Sequence, residues 1–181
     1  MKLILSTLTF IIAFNISAQY DIDYSKIDTI KLPPNVRKMM RYPLKWEGKT
    51  VPTFIAKDLK RNEIKIDSTT KFAVIDFWFI HCPPCLMELP ELNAVKDKFP
   101  NVSYLGITHN TPEELEKFFE TRDFDFNIIP NDTSIKSTFE VTTFPTLFVV
   151  IDGKIVKCIV GGRMGLMEIL SPYLKDSNSN G

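Results

Sequence analysis

The sequence has few cysteines, few glycines and no excess of either charge, and each shortage excludes a class of protein. Three cysteines in 181 residues are too few for a scaffold held together by disulfides. Seven glycines, beside 44% hydrophobic residues, exclude a collagenous or low-complexity chain. Lysine plus arginine equals aspartate plus glutamate, at 22 each, so no net charge attracts nucleic acid or an anionic membrane. We therefore expect one globular domain with a packed core and no nucleic-acid partner.

The first 18 residues have the pattern of a secretory signal peptide. Lys2 is followed by an apolar run at residues 3–14 and then by small and polar residues that end in Ala18. This run is shorter than the roughly 20 apolar residues that span a bilayer, although an uncleaved anchor is the alternative. We predict cleavage near Ala18, which leaves a soluble protein in the periplasm or another exported compartment, where disulfides can form.

Residues 51–174 carry the alternating strand and helix patterns of an α/β domain. The nearly continuous apolar run at 72–79 predicts a central strand, and the segments 83–99 and 102–107 predict a helix and a parallel strand that complete a βαβ unit. Before this unit, residues 53–66 predict a hairpin at a sheet edge. After it, we expect a capped helix at 111–119, a short strand at 124–128 and a helical turn at 135–139. A hairpin at 146–160 and a helix at 166–174 close the domain.

The two ends of the mature chain are predicted to lack regular structure. Residues 19–50 are polar and interrupted by prolines, which predicts an extended lead-in. Residues 175–181 form a short polar segment at the end of the chain, which predicts a disordered tail.

Cys82 and Cys85 form a Cys-x-x-Cys pair where the central strand meets the next helix. A cysteine at a helix N-cap is stabilised as a thiolate by the helix dipole and the free N–H groups, so Cys82 is the predicted nucleophile. Cys85, one turn inside the helix, is placed to resolve a mixed disulfide between Cys82 and a substrate. The alternatives are a purely structural disulfide or half of a zinc site, but the sequence has no second Cys-x-x-Cys and only two histidines. We predict a redox pair with no metal and no dissociable cofactor.

Two carboxylates accompany the cysteine pair. Asp76 interrupts the apolar run of the central strand, so we expect a buried carboxyl whose pKa is raised; a side chain turned to solvent is the alternative. Glu88 follows Cys85 by three residues and shares its helical face, where a solvated glutamate is the alternative to a functional one.

The element order, with Cys82-Pro83-Pro84-Cys85 after the central strand and Thr143-Phe144-Pro145-Thr146 before the closing hairpin, resembles the thioredoxin superfamily. The N-terminal hairpin, the helix–strand insertion at 111–129 and Glu88-Leu89-Pro90 resemble its exported TlpA/ResA branch. The resemblance implies an α/β, thioredoxin-like fold, with a mixed central sheet flanked by helices.

The resemblance also implies roles and partners. Pro145 would be cis and face the cysteines, Asp76 would accept the Cys85 proton through a water, and Glu88 would tune the cysteine pKa values. The protein would be an exported, monomeric thiol-disulfide oxidoreductase that reduces protein disulfides. Its donor would be a membrane thiol reductase, and its acceptor would be apocytochrome c, in cytochrome c maturation, or another exported protein.

Two other functions remain open from the sequence. A disulfide-forming oxidase of the DsbA type is disfavoured because an insertion of about 20 residues is too short for the helical domain of that family. A copper-binding chaperone would use Cys82, Cys85 and His81 as ligands.

Overall fold

A five-stranded mixed sheet organises the described part of the chain, residues 33–180 of a computed structural model. The predicted signal peptide, residues 1–18, lies outside the described residues. The described strands are β1 (Phe54–Lys57), β2 (Glu63–Ile66), β3 (Phe72–Phe77), β4 (Ser103–Ile107), β5 (Asn127–Ile129), β6 (Thr146–Ile151) and β7 (Lys154–Val160). The described α-helices are α1 (Pro34–Trp46), α2 (Pro83–Lys98), α3 (Pro112–Phe119), α4 (Ser134–Thr138) and α5 (Leu166–Leu174).

The sheet has the strand order β5-β4-β3-β6-β7, so β3 is central as predicted. Strands β3, β4 and β5 run parallel, whereas β6 is antiparallel to both β3 and β7. Helix α2 connects β3 to β4, which confirms the predicted βαβ unit. The thioredoxin-like fold class is thereby confirmed.

Alternate residues of β3 belong to the cores on opposite faces of the sheet. Val74 packs with the apolar face of α2 and with α5, whereas Ile75 packs with Trp46 and Phe139 on the other face. Both faces are therefore covered, and this explains why β3 has a continuous apolar sequence in place of a polar alternation. Asp76 follows the same alternation and lies on the α2 face.

Both predicted hairpins are present, but only the β6–β7 hairpin belongs to the main sheet. Strands β6 and β7 are joined by Asp152 and Gly153, whose φ angles of 48° and 69° are those that a type I′ turn requires. Strands β1 and β2 pair with each other as a separate two-stranded sheet, so their predicted place at the edge of the main sheet is wrong. The loop of this hairpin contacts the edge strand β5 of the main sheet: the Leu59 N–H donates a hydrogen bond of 2.9 Å to the Ile128 carbonyl.

Helix α1 corrects the prediction of an extended lead-in for residues 34–46; residues 19–32 of that predicted segment lie outside the described residues. Pro34 occupies the first position of this helix, where the missing N–H of proline costs nothing. Tyr42 and Trp46, four residues apart, bring one face of the helix into contact with Phe148. Residues 42–180 form one unit with the sheet, and the described part of the other unit is residues 33–41.

The chain end and the insertion also differ from prediction. Residues Lys175–Asn180 form a 3₁₀ helix in place of a disordered tail, because Ser177 is buried and its carbonyl accepts a hydrogen bond from the Asn101 side chain. The strand predicted at 124–128 is only Asn127–Ile129, since Phe124 packs against Trp78 before the strand begins. Across residues 33–180, no helix combines the length and the hydropathy that crossing a bilayer requires.

Candidate active site

Cys82 is the N-cap of α2, as the sequence predicts. Its backbone is extended, with φ −104° and ψ 96°, and its Sγ accepts the N–H of Cys85 at 3.3 Å. Pro83 and Pro84 occupy the first two positions of the helix and bring no N–H groups, so Cys85 is the backbone donor that reaches the sulfur.

The two cysteines form a disulfide, so the structure represents the oxidised protein. Their Sγ atoms are 2.01 Å apart and their Cα atoms 5.2 Å. Both side chains are buried, with exposed fractions of 3% for Cys82 and 1% for Cys85. The exposed fractions therefore do not indicate which cysteine is the nucleophile, but the positions in the helix do. Only Cys82 lies at the helix end where the N–H groups and the dipole favour a thiolate.

Pro145 follows a cis peptide bond, as the resemblance implies. It precedes Thr146, which pairs with Phe77 at the end of β3, so Pro145 and the Cys82 loop lie at the same end of the sheet. The two loops touch through the rings of Phe79 and Phe144, whose centroids are 5.2 Å apart. The carbonyl of Pro145 accepts the Gly161 N–H at 2.8 Å, which ties this loop to the end of β7.

Asn110 holds the loop before Cys82, and the sequence analysis did not identify it. This side chain is 4% exposed, and its Oδ1 accepts the Ile80 N–H at 3.0 Å and the Thr108 hydroxyl at 2.9 Å. Its Nδ2 donates to Glu114 Oε2 at 3.0 Å. The only sequence signal for it is an asparagine just before a capping box, which is too common to indicate a contact 30 residues away.

Asp76 is buried, as predicted, with an exposed fraction of 1%. Burial and the nearby charge of Glu88 raise its pKa well above the ordinary value of an aspartate. Its Oδ1 has no hydrogen-bond partner within residues 33–180. Asp76 therefore offers an acceptor atom, on the α2 face of the sheet, that binds a proton more readily than an exposed carboxylate does.

Glu88 is also buried, with an exposed fraction of 3%, so the solvated alternative is wrong. Burial raises its pKa to about 7, against the lowering effect of a hydrogen bond from the Arg163 backbone N–H to Oε1. Near neutral pH this carboxyl is divided between its charged and neutral forms. The site therefore contains two buried carboxyls whose pKa values are raised, so both keep their protons to a higher pH than ordinary acids do.

The remaining candidates contribute less. His81 is exposed beside Cys82, and no group of three or more His, Cys, Asp or Glu side chains with metal-binding geometry occurs in the described residues. Cys158 is fully buried in β7, where burial raises its pKa, and its backbone N–H donates to Glu47 Oε1 at 3.1 Å. Cys158 lies in the core on the sheet face opposite the one against which the dithiol packs.

The fold and this site define a thioredoxin-like protein whose dithiol can be oxidised and reduced in exchange with other disulfides. Residues 48–159 match the AhpC/TSA family, and the chain belongs to this family. It is 31% identical over 134 residues to the thiol-disulfide oxidoreductase ResA of Bacillus cereus, a match that covers 71% of this chain and 76% of that protein.

Two solved structures are also similar to this chain. The solution structure of a thiol:disulfide interchange protein from Bacteroides sp. has a TM-score of 0.61 and 23% identity, and covers 71% of this chain and 90% of that one. The crystal structure of a thio-disulfide isomerase from Thermus thermophilus has a TM-score of 0.57 and 28% identity, and covers 71% and 95% respectively. The Bacteroides structure, at this identity, shows the fold alone. The ResA match and the family match show that the chain is a thiol-disulfide oxidoreductase.

Proposed function

We propose that this protein is an exported reductase of protein disulfides, with Cys82 as its nucleophile and Cys85 as its resolving cysteine. The observation that carries the proposal is the position of Cys82 as the N-cap of α2, with its Sγ accepting the Cys85 N–H.

The reaction starts from the reduced pair. The Cys82 thiolate attacks one sulfur of a substrate disulfide, forms a mixed disulfide and releases the other substrate sulfur as a thiolate that takes up a proton. Cys85 then loses its proton to Asp76, attacks Cys82 Sγ and releases the second substrate sulfur. Two electrons pass to the substrate, and the oxidised pair seen in the structure remains.

Asp76 suits the proton step because its raised pKa lets it hold the proton that Cys85 gives up. Its unpartnered Oδ1 is the atom that we assign to this step. Glu88 is assigned the tuning of the pair: a carboxyl with a pKa of about 7 adds or removes a negative charge near the cysteines within the physiological pH range.

The site favours the reducing direction on electrostatic grounds. Pro83 and Pro84 withhold two N–H groups from the N-cap sulfur, and Asp76 and Glu88 place acidic groups nearby. Both features weaken the stabilisation that the N-cap position gives the Cys82 thiolate, and a less stabilised thiolate favours the disulfide, which makes the dithiol a better electron donor.

The sequence pattern and the family support the proposed exported location and partners. The signal-like residues 1–18 support export, and ResA supports a protein disulfide as the substrate. We propose a membrane thiol reductase as the donor and apocytochrome c or another exported protein as the acceptor.

Three measurements test this proposal. Glutathione equilibration should give a reduction potential nearer to the value of about −270 mV for thioredoxin than to about −120 mV for DsbA; a value near the latter would indicate a disulfide-forming oxidase. Mass spectrometry of the protein secreted from its host should find a mature N-terminus near Gln19, and recovery from the cytoplasm with Met1 intact would contradict export. Stoichiometric, tight Cu(I) binding by the reduced protein would instead support a copper chaperone.

A further inference from the structure

A second glutamate of α2, Glu91, caps the helix that closes the fold. Its Oε1 accepts the Gly165 N–H at 3.2 Å, and its Oε2 accepts the Leu166 N–H at 2.6 Å. These amides open α5, whose own N-cap residue is a glycine without a side chain. Glu91 therefore supplies, from a neighbouring helix, the capping bonds that α5 cannot make for itself.

The turn between β7 and α5, residues 161–165, also touches α2 on the side of the cysteines. The Arg163 N–H donates to Glu88 Oε1. A Cβ placed on Gly162 would lie 2.8 Å from Pro84 Cβ, so the turn lies directly against the Cys-Pro-Pro-Cys segment. Glu91 thus holds the end of the turn at Gly165, while the earlier part of the turn contacts the segment of α2 that carries the cysteines.

We propose that Glu91 is a positioning residue for the dithiol: by capping α5, it holds the β7–α5 turn so that the Arg163 N–H meets Glu88. The inference rests on the proposed function, because it concerns the environment of the carboxyl that tunes the cysteine pair. Glu91 itself does not touch the sulfurs in this assignment.

Four groups face Glu88. Asp76 faces it from β3, Glu91 from α2, and Arg163 from the turn with both its backbone N–H and its guanidinium. Both groups of Arg163 lower the pKa of Glu88, whereas the charge of Glu91 raises it. Glu91 therefore has two opposed effects on Glu88, a direct one through its charge and an indirect one through the turn.

Two substitutions separate these effects. Glu91→Gln removes the charge and keeps an oxygen that can accept one of the two N–H groups, whereas Glu91→Ala removes the charge and the cap together. Asp97→Asn is the matched control, since it removes one negative charge from the exposed side of the same helix. All three are compared with the full-length oxidised protein.

The first readout is amide hydrogen exchange. In Glu91→Ala, the amides of Arg163 and Leu166 should exchange at least tenfold faster than in the Asp97→Asn control, and in Glu91→Gln about threefold faster at Leu166. Exchange at Arg163 in Glu91→Ala as slow as in the control would overturn the proposal. Should Glu91→Ala not fold, unchanged exchange at both Gly165 and Leu166 in Glu91→Gln would overturn it, because glutamine has one acceptor oxygen for the two N–H groups.

The second readout is the titration of the Glu88 carboxyl by carbon NMR. Glu91→Gln should lower the titration midpoint below that of the wild-type protein, and Glu91→Ala should give a higher midpoint than Glu91→Gln. Coincident midpoints in the two variants would leave only a charge effect and overturn the positioning role. Neither readout requires a working dithiol, so a failure of the proposed function would appear separately, as a loss of disulfide exchange with these results intact.

Discussion

Replacing Glu88 with glutamine should remove a pH-dependent loss of stability from the oxidised protein. The pKa of this carboxyl is about 7 in the folded protein and near 4.5 in an unfolded chain. Between these two pH values the folded protein retains a proton that the unfolded chain has released, so the free energy of unfolding falls as the pH rises. This loss of stability is absent below pH 4.5 and complete above about pH 7.

The interval between the two pKa values corresponds to about 3 kcal/mol, at 1.4 kcal/mol for each pH unit. Glutamine has nearly the same shape and keeps an oxygen that can accept the Arg163 N–H, so the substitution removes the titration while preserving the contact. Glu88→Gln should therefore match the wild-type protein near pH 4.5 and exceed its free energy of unfolding by about 3 kcal/mol at pH 8.

Urea unfolding between pH 4.5 and 8 measures this difference, with the protein kept oxidised so that Cys82 and Cys85 do not titrate. Asp97→Asn, an exposed carboxylate on the same helix, is the control and should follow the wild-type curve. A difference between Glu88→Gln and the wild-type protein that stays constant with pH, or that grows toward acid pH, would refute the reasoning.

Three further substitutions test other parts of the site and the fold. Asp76→Asn should slow resolution of the mixed disulfide by Cys85 and leave the first attack by Cys82 nearly unchanged in stopped-flow kinetics; equal slowing of both steps would contradict the proton role. Pro84→Ala restores an N–H that can reach the N-cap sulfur, and one hydrogen bond of about 1 kcal/mol should raise the reduction potential by about 20 mV, whereas no rise would contradict the donor argument. Gly106→Ala should lower the free energy of unfolding by about 1–3 kcal/mol, because its Cβ would lie within 2.8–3.0 Å of three buried side chains; unchanged thermal stability would show that these side chains move aside.

The strands, the main helices and the dithiol could be predicted from the sequence because local patterns encode them. The apolar run of β3 predicts burial on both faces, and the Cys-Pro-Pro-Cys segment predicts a helix that starts at a cysteine. Asp76 could be predicted as buried for the same reason, since apolar neighbours flank it within a strand.

Contacts between distant residues could not be predicted in this way. Glu91 and Leu166 are 75 residues apart, and a glutamate on a helix carries no local signal that it caps another helix. Helix α1 could not be predicted because its prolines indicate a chain without regular structure. Pro34 is in fact compatible with the first helical turn, and Pro43 lies inside a helix whose Tyr42 and Trp46 pack into the core.

The order of attack by the two cysteines is the central claim, and mixed-disulfide trapping measures it most directly. Purified Cys85→Ser and Cys82→Ser variants would be reduced, mixed with a protein disulfide substrate and analysed by mass spectrometry after alkylation. The N-cap position of Cys82 predicts that Cys85→Ser accumulates a mixed disulfide through Cys82, while Cys82→Ser accumulates little. Preferential trapping through Cys85 in the Cys82→Ser variant would contradict the assignment.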